Sequence, residues 1–185
     1  MTLRSATLLA LIPTMSFAAV PVFTLQSPDF ADNGLMQKKF AGNNKQNPSC
    51  TGENLSPALR WSSAPEGTKS FALLVTDPVG AKGLGVTHMV AYNIPASKTS
   101  FTRGEFSNDK SFTGGTNTQG THAWYGPCPP AGSGMHHYNF VVIATDIPPE
   151  QLQAGLNHTE LVSALKGHAL GAASLIGRFS NDPQN

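Results

Sequence analysis

Charge is scarce in this 185-residue chain. Lysine and arginine number 12 and aspartate and glutamate 11, so charged side chains make up 12% of the sequence, about half the ~25% of an ordinary soluble domain. Cations so few, and so evenly balanced, cannot track a phosphate backbone over many contacts, which excludes a nucleic-acid binder. Cysteine is scarcer still. Two in the whole chain exclude a small scaffold held by many disulfides. Charged tails, low-complexity blocks and internal repeats are absent, and no apolar run reaches the ~20 residues of a membrane-spanning helix. Turn-formers, by contrast, abound: 18 glycines and 14 prolines argue against a helical bundle. The length suits one domain with a core of its own.

Residues 1–18 read as an export signal to be removed. Arg4 supplies the positive start, an apolar stretch interrupted by Pro13 follows, and small residues stand at Ser16 and Ala18, where cleavage is expected. Residues 19–185 then form a single exported domain with zero net charge, periplasmic if the source is Gram-negative.

Along that domain, short apolar runs bounded by Gly, Pro, Asn or Ser predict strands. The clearest are Phe71–Thr76, Val86–Ile94 and Tyr138–Thr145, with weaker ones at Val20–Leu25, Ala58–Trp61, Thr121–Tyr125 and Ser174–Phe179. The near-continuous apolar run in Tyr138–Thr145 predicts a buried central strand. One helix is expected: Asn157 caps it with Glu160 three residues on, Leu161, Leu165 and Ala169 line one face, and Gly171 closes it. A shorter helical turn is expected around Glu150–Ala154. Long loops at 26–56, 77–85, 102–120 and 126–135 offer room for binding chemistry.

Four polar features stand out. Asp77-Pro78 ends a strand, as a turn-starting Asp or as a functional carboxylate. His88 lies among apolar neighbours, as a core residue or a ligand-binding one. The segment Gly126-Pro127-Cys128-Pro129-Pro130-Ala131-Gly132-Ser133-Gly134 is either a stiff connection or a nest of backbone N–H groups for an anion. In Met135-His136-His137-Tyr138, alternation sends His136 and Tyr138 to one side of a strand and His137 to the other. No H-x-x-x-H, H-E-x-x-H or C-x-x-C pairing occurs, so neither metal nor other cofactor is expected. G-x-S-x-G is absent, and Ser133 lacks the spacing of a nucleophile elbow.

Taken together, SCTGENLSPALRW (49–61), GTKSFALLVTDP (67–78), THMVAYNIP (87–95), GPCPPAGSGMHHYNFVVIATD (126–146) and LVSALKGHAL (161–170) resemble the phosphatidylethanolamine-binding protein family, also called Raf kinase inhibitor protein-like, and its bacterial branch above all. The resemblance implies a mostly-β fold: a large central sheet packed against a smaller one, with a C-terminal helix nearby. It also implies a small pocket for phosphate-bearing or other anionic groups, formed here by Asp77, His88, Gly126, Pro127, Cys128, Pro130, His136 and Tyr138. Imidazoles, a phenol O–H and backbone N–H groups donate to anionic oxygens, while an ionised Asp77 orients a histidine or meets a cationic end of the ligand. The family usually has Asp-Pro-Asp-Ala-Pro where this chain reads Asp77-Pro78-Val79-Gly80-Ala81. One carboxylate and one rigid proline are thereby lost from the expected rim. Met89 replaces a common aromatic and is expected to reshape one wall.

The expected function is that of an exported, non-enzymatic binding or regulatory protein, an inhibitor or modulator of a protease, kinase or host factor. The alternative is a hydrolase of small esters or phosphoesters with His88 or His136 as general base. A small anionic ligand is the expected partner, with no nucleic acid, no stable membrane attachment, and a monomeric or homodimeric state. An oxidising compartment favours a Cys50–Cys128 disulfide.

Overall fold

The computed structural model describes residues 21–107 and 111–182; the expected export signal, 1–18, lies outside the described residues. Three strands, β1 (Thr24–Gln26), β3 (Leu59–Ser62) and β6 (Ser100–Phe101), form a small antiparallel sheet in the order β1-β3-β6. Six others form the large sheet: β2 (Gly34–Leu35), β4 (Ser70–Asp77), β5 (Val86–Pro95), β7 (Thr113–Gly114), β8 (His136–Thr145) and β9 (Ala169–Phe179), in the order β2-β9-β8-β4-β5-β7. Among these named strands only β2 and β9 pair in parallel, and an isolated parallel bridge joins Thr116 to Asn157. The fold is mostly β, two sheets with a short helix near the C-terminus.

The large sheet is apolar on both faces at its centre, and this is why β4 reads as an unbroken run. Phe71, Leu73 and Val75 point toward the small sheet, beside Phe140 and Val142 of β8 and Met89 and Ala91 of β5. Trp61 of the small sheet packs edge-on against Phe71, ring centroids 5.4 Å apart. On the opposite face Ala72, Leu74, Val90 and Tyr92 are covered by Ile147, Leu156, Leu161 and Leu165. Each such aromatic or leucine contributes about 1.5–3 kcal/mol by leaving water. The most buried strand is β4 rather than β8, whose Val141 and Ile143 are only half-buried.

Three expectations require correction. The helix spans only His158–Ala164, with the expected capping box between Asn157 and Glu160. Gly167, at φ 80°, stops it, so Ala169 and Gly171 belong to β9 instead. A left-handed glycine ends a helix whatever the apolar spacing beyond it. Thr121–Tyr125 is not a strand. The Asn117 side chain takes the Thr121 N–H and the Ala123 carbonyl that a ladder would have used. Glu150–Ala154 forms turns and bends rather than a helical turn.

Candidate functional site

At one end of the large sheet the face that is hydrophobic core becomes polar. Two residues beyond Val75 on β4 stands Asp77. Two residues before Phe140 on β8 stands Tyr138, and two before that His136. All three are buried, and with His88 they line a cavity of about 280 Å³.

Asp77 starts the turn and also reaches a histidine. Its Oδ1 accepts the backbone N–H groups of Val79 and Gly80, each at 3.1 Å, which starts the turn. Its Oδ2 lies 2.6 Å from His136 Nδ1. The turn is tight enough that a Cβ on Gly80 would sit 2.9 Å from Asp77 Oδ2. His136 Nε2 lies 3.1 Å from Ser133 Oγ, whose hydroxyl in turn donates to the Pro130 carbonyl at 2.6 Å. His137 is exposed, as alternation predicts.

His88 reaches the cavity by a different route. The register of β4 with β5 slips between Val75, opposite Met89, and Thr76, opposite Thr87. Strict alternation would put His88 on the face of Val90 and Tyr92, under the helix. The extra residue of this β-bulge lets His88 share the cavity side with Met89, and bulges re-aim side chains in this way. The His88 Nδ1–H donates to the Tyr125 carbonyl at 2.6 Å, and the ring stacks on Tyr125 with centroids 5.8 Å apart. Its Nε2 is buried and has no partner, and the Tyr138 hydroxyl is in the same condition. Burial pushes the His88 pKa below the usual histidine value. Burial, with Asp77 adding to it, raises that of Tyr138.

The proline-rich loop supplies the opposite wall unevenly. Cys128, Pro129 and Pro130 line the cavity, whereas Gly126 and Pro127 lie behind it. Gly126 donates to Asn54 Oδ1 at 2.8 Å, and a Cβ there would come within 2.3 Å of the Phe40 carbonyl. The Pro127 carbonyl accepts from the Gly42 N–H at 2.9 Å. These two residues therefore anchor the wall, a correction to their expected place in the lining. Cys128 is joined to Cys50 by a disulfide across 78 residues, a closure worth about 4 kcal/mol in the chain-entropy account. The loop does form an N–H nest, but further along. Gly132 and Gly134 donate to the Asp182 carboxylate, the latter at 2.9 Å, and hold its pKa low.

Of the family departures, the lost proline falls on the lining and the other two do not. The Val79 side chain is half exposed and outside the cavity, while Ala81 lines it. Met89 is fully buried between the sheets rather than in a pocket wall. The lining also includes Asn47, Thr118, Gln119 and Tyr125, which sequence reading missed. Tyr125, directly before the Gly-Pro that opens the loop, was the one with a local signal. Ser133, set aside for want of a motif, is brought to His136 by the fold. A more open depression of about 750 Å³ lies around Arg103 and Glu105, but those charges are already paired with Asp29 and Lys98. Among the described residues no three metal-ligating side chains cluster.

Comparison with known proteins agrees with this architecture. The family model described as phosphatidylethanolamine-binding protein matches residues 26–180. A UPF0098 protein of Methanothermobacter thermautotrophicus is 35% identical over 158 residues, covering 84% of this chain and 97% of its own. A Mycobacterium tuberculosis protein named as a lipoprotein, LppC, is 36% identical over 169 residues, or 88% of this chain and 74% of that one. The crystal structure of Escherichia coli YbcL, described as a new member of the mammalian PEBP family, superposes with a TM-score of 0.77 at 28% identity, covering 85% of this chain and 98% of YbcL. With its two-sheet fold and its match over most of its length, the chain belongs to the phosphatidylethanolamine-binding protein family.

Proposed function

We propose that this chain is an exported binding protein whose cavity holds a small anionic, phosphate-type group, and that it acts by binding rather than by turnover. One observation carries the reading: two buried polar atoms, His88 Nε2 and the Tyr138 hydroxyl, belong to cavity-lining residues and have no partner in the fold. Leaving such atoms without a partner costs about 1–3 kcal/mol each, and an acid group whose oxygens both accept from the Tyr138 hydroxyl and carry a proton to His88 Nε2 relieves that cost. Export is supported by the N-terminal pattern of residues 1–18, by the relative named as a lipoprotein and by the disulfide. A protein target, whether protease, kinase or host factor, rests on the family alone. The test is an NMR titration with phosphate or phosphoethanolamine of the wild type and of His88→Ala and His136→Ala. Shifts centred on the cavity and lost in both variants are expected; equal shifts in all three proteins overturn the assignment.

A second reading, ester hydrolysis, is favoured by the order Ser133–His136–Asp77, which has the form of nucleophile, base and orienting carboxylate. It stands second because the Ser133 hydroxyl donates to Pro130 at the shorter distance. The N–H groups flanking Ser133, the natural oxyanion donors, are also held by Asp182. Labelling of Ser133 by a fluorophosphonate, together with ester turnover abolished by Ser133→Ala, would reverse the order.

A further inference from the structure

His88 Nδ1 carries a proton, because its partner, the Tyr125 carbonyl, can only accept. A neutral His88 therefore keeps a bare lone pair at Nε2, buried and without a partner. The Tyr138 ring stands edge-on to His88 with centroids 5.0 Å apart, and its hydroxyl is a donor without an acceptor. One vacant acceptor and one vacant donor, on two rings in edge-to-face contact, complement a ligand group that offers one O–H and one acceptor oxygen.

Charge points the same way. The groups facing His88 are Asp77 from β4, His136 and Tyr138 from β8, and Trp124 and Tyr125 from the segment before the proline-rich loop. Among the described residues no lysine or arginine lines the cavity. Written as carboxylate–imidazole or as carboxylate–imidazolium, the Asp77–His136 pair supplies no net positive charge. A dianion here would meet a carboxylate and a lone pair with no net positive charge to offset it. Burial also makes His88 resist taking up the missing proton itself.

Resting on the reading of this cavity as an anion site, we infer that it selects tetrahedral oxyanions in their singly protonated, monoanionic form. The ligand's O–H donates to His88 Nε2, and another of its oxygens accepts from the Tyr138 hydroxyl. Phosphomonoesters meet this requirement. Sulfate monoesters and phosphodiesters, the linkage of a phospholipid headgroup, have the same charge and shape but no proton, and are refused.

The full chain is titrated by calorimetry with methyl phosphate, methyl sulfate and dimethyl phosphate at about pH 5.5, below the second phosphomonoester pKa of about 6, where all three are chiefly monoanions. Methyl phosphate is expected to bind at least about tenfold tighter than the other two, the worth of one well-made hydrogen bond to a buried group. Between about pH 7 and 8 its affinity falls about tenfold, with one proton taken up per site in buffers of different ionisation enthalpy. Tyr138→Phe weakens methyl phosphate without changing the proton uptake, because it removes a donor and not the acceptor at His88 Nε2. Equal affinity for the three ligands, or binding without proton uptake at about pH 7.5, overturns the selection and leaves the anion site standing. Preference for dimethyl phosphate assigns the site to a lipid headgroup and overturns it too. Failure of all three at millimolar concentration overturns the anion site itself.

Discussion

The two histidines of the cavity stand on the strands that flank β4, and the fold completes them differently. His136 has both ring nitrogens engaged, one by Asp77 and one by Ser133. Asp77 in turn holds the turn beyond its strand. His88 has one nitrogen engaged and the other bare, next to a tyrosine hydroxyl that is bare as well. One half of the cavity is a closed hydrogen-bonded network; the other displays groups whose partner the fold does not supply. Substitution in the closed half therefore costs stability, whereas substitution in the open half leaves stability nearly intact.

Three measurements can break or sharpen that contrast. The largest effect is expected from Asp77→Ala, which orphans a buried histidine and releases two turn N–H groups; urea denaturation should show a loss of about 3–5 kcal/mol. A loss below about 1 kcal/mol would mean the network is not closed in the sense described. An intermediate effect belongs to pH. The folded pKa of His88 lies below its unfolded value near 6.5. Protons therefore bind the unfolded chain more readily, and stability that is complete above about pH 6.5 declines as pH falls toward the folded pKa. The decline is at most about 1.4 kcal/mol per unit. The His88→Gln variant should lack this component, read as the difference between the two urea midpoints from about pH 7 to 5.5. The smallest effect is Tyr138→Phe, which removes an unsatisfied hydroxyl and should leave stability unchanged or raise it by up to about 1 kcal/mol. A clear loss would reveal a partner for that hydroxyl and erase the contrast.

How legible each half was follows from the regularity of its strands. β4 and β8 alternate without interruption toward the cavity, so Asp77, His136 and Tyr138 fall on one face by counting in twos from Val75 and Phe140. The long strands and the capped helix were legible for a similar reason, because apolar runs and a capping pair are local signals; the division into two sheets was implied by the family resemblance alone. Counting in twos misplaces His88, because a bulge is set by how two strands meet and leaves little trace in either one. Loop contributions were harder still. Gly126 and Pro127 look like binding residues in a motif, yet they serve to pack the wall against Phe40 and Gly42. Asn47, Thr118 and Asp182 come from distant segments that only the folded chain brings near. Leu161, Leu165 and Ala169 keep helical spacing across Gly167, whose φ of 80° matters more than the pattern and ends the helix early.

The bulge in β5 has a consequence for how this site can change over time. Deleting one residue at Thr87 would restore plain alternation and bring His88 opposite Thr76, on the helix-covered face, with its chemistry intact but out of reach of any ligand. Restoring the residue would return it. The open half of the cavity thus depends on the length of a strand as much as on the identity of its side chains. Under the proposed function, relatives that differ by a single insertion or deletion just before this histidine should be sorted into binders and non-binders on that count, before any pocket residue is compared.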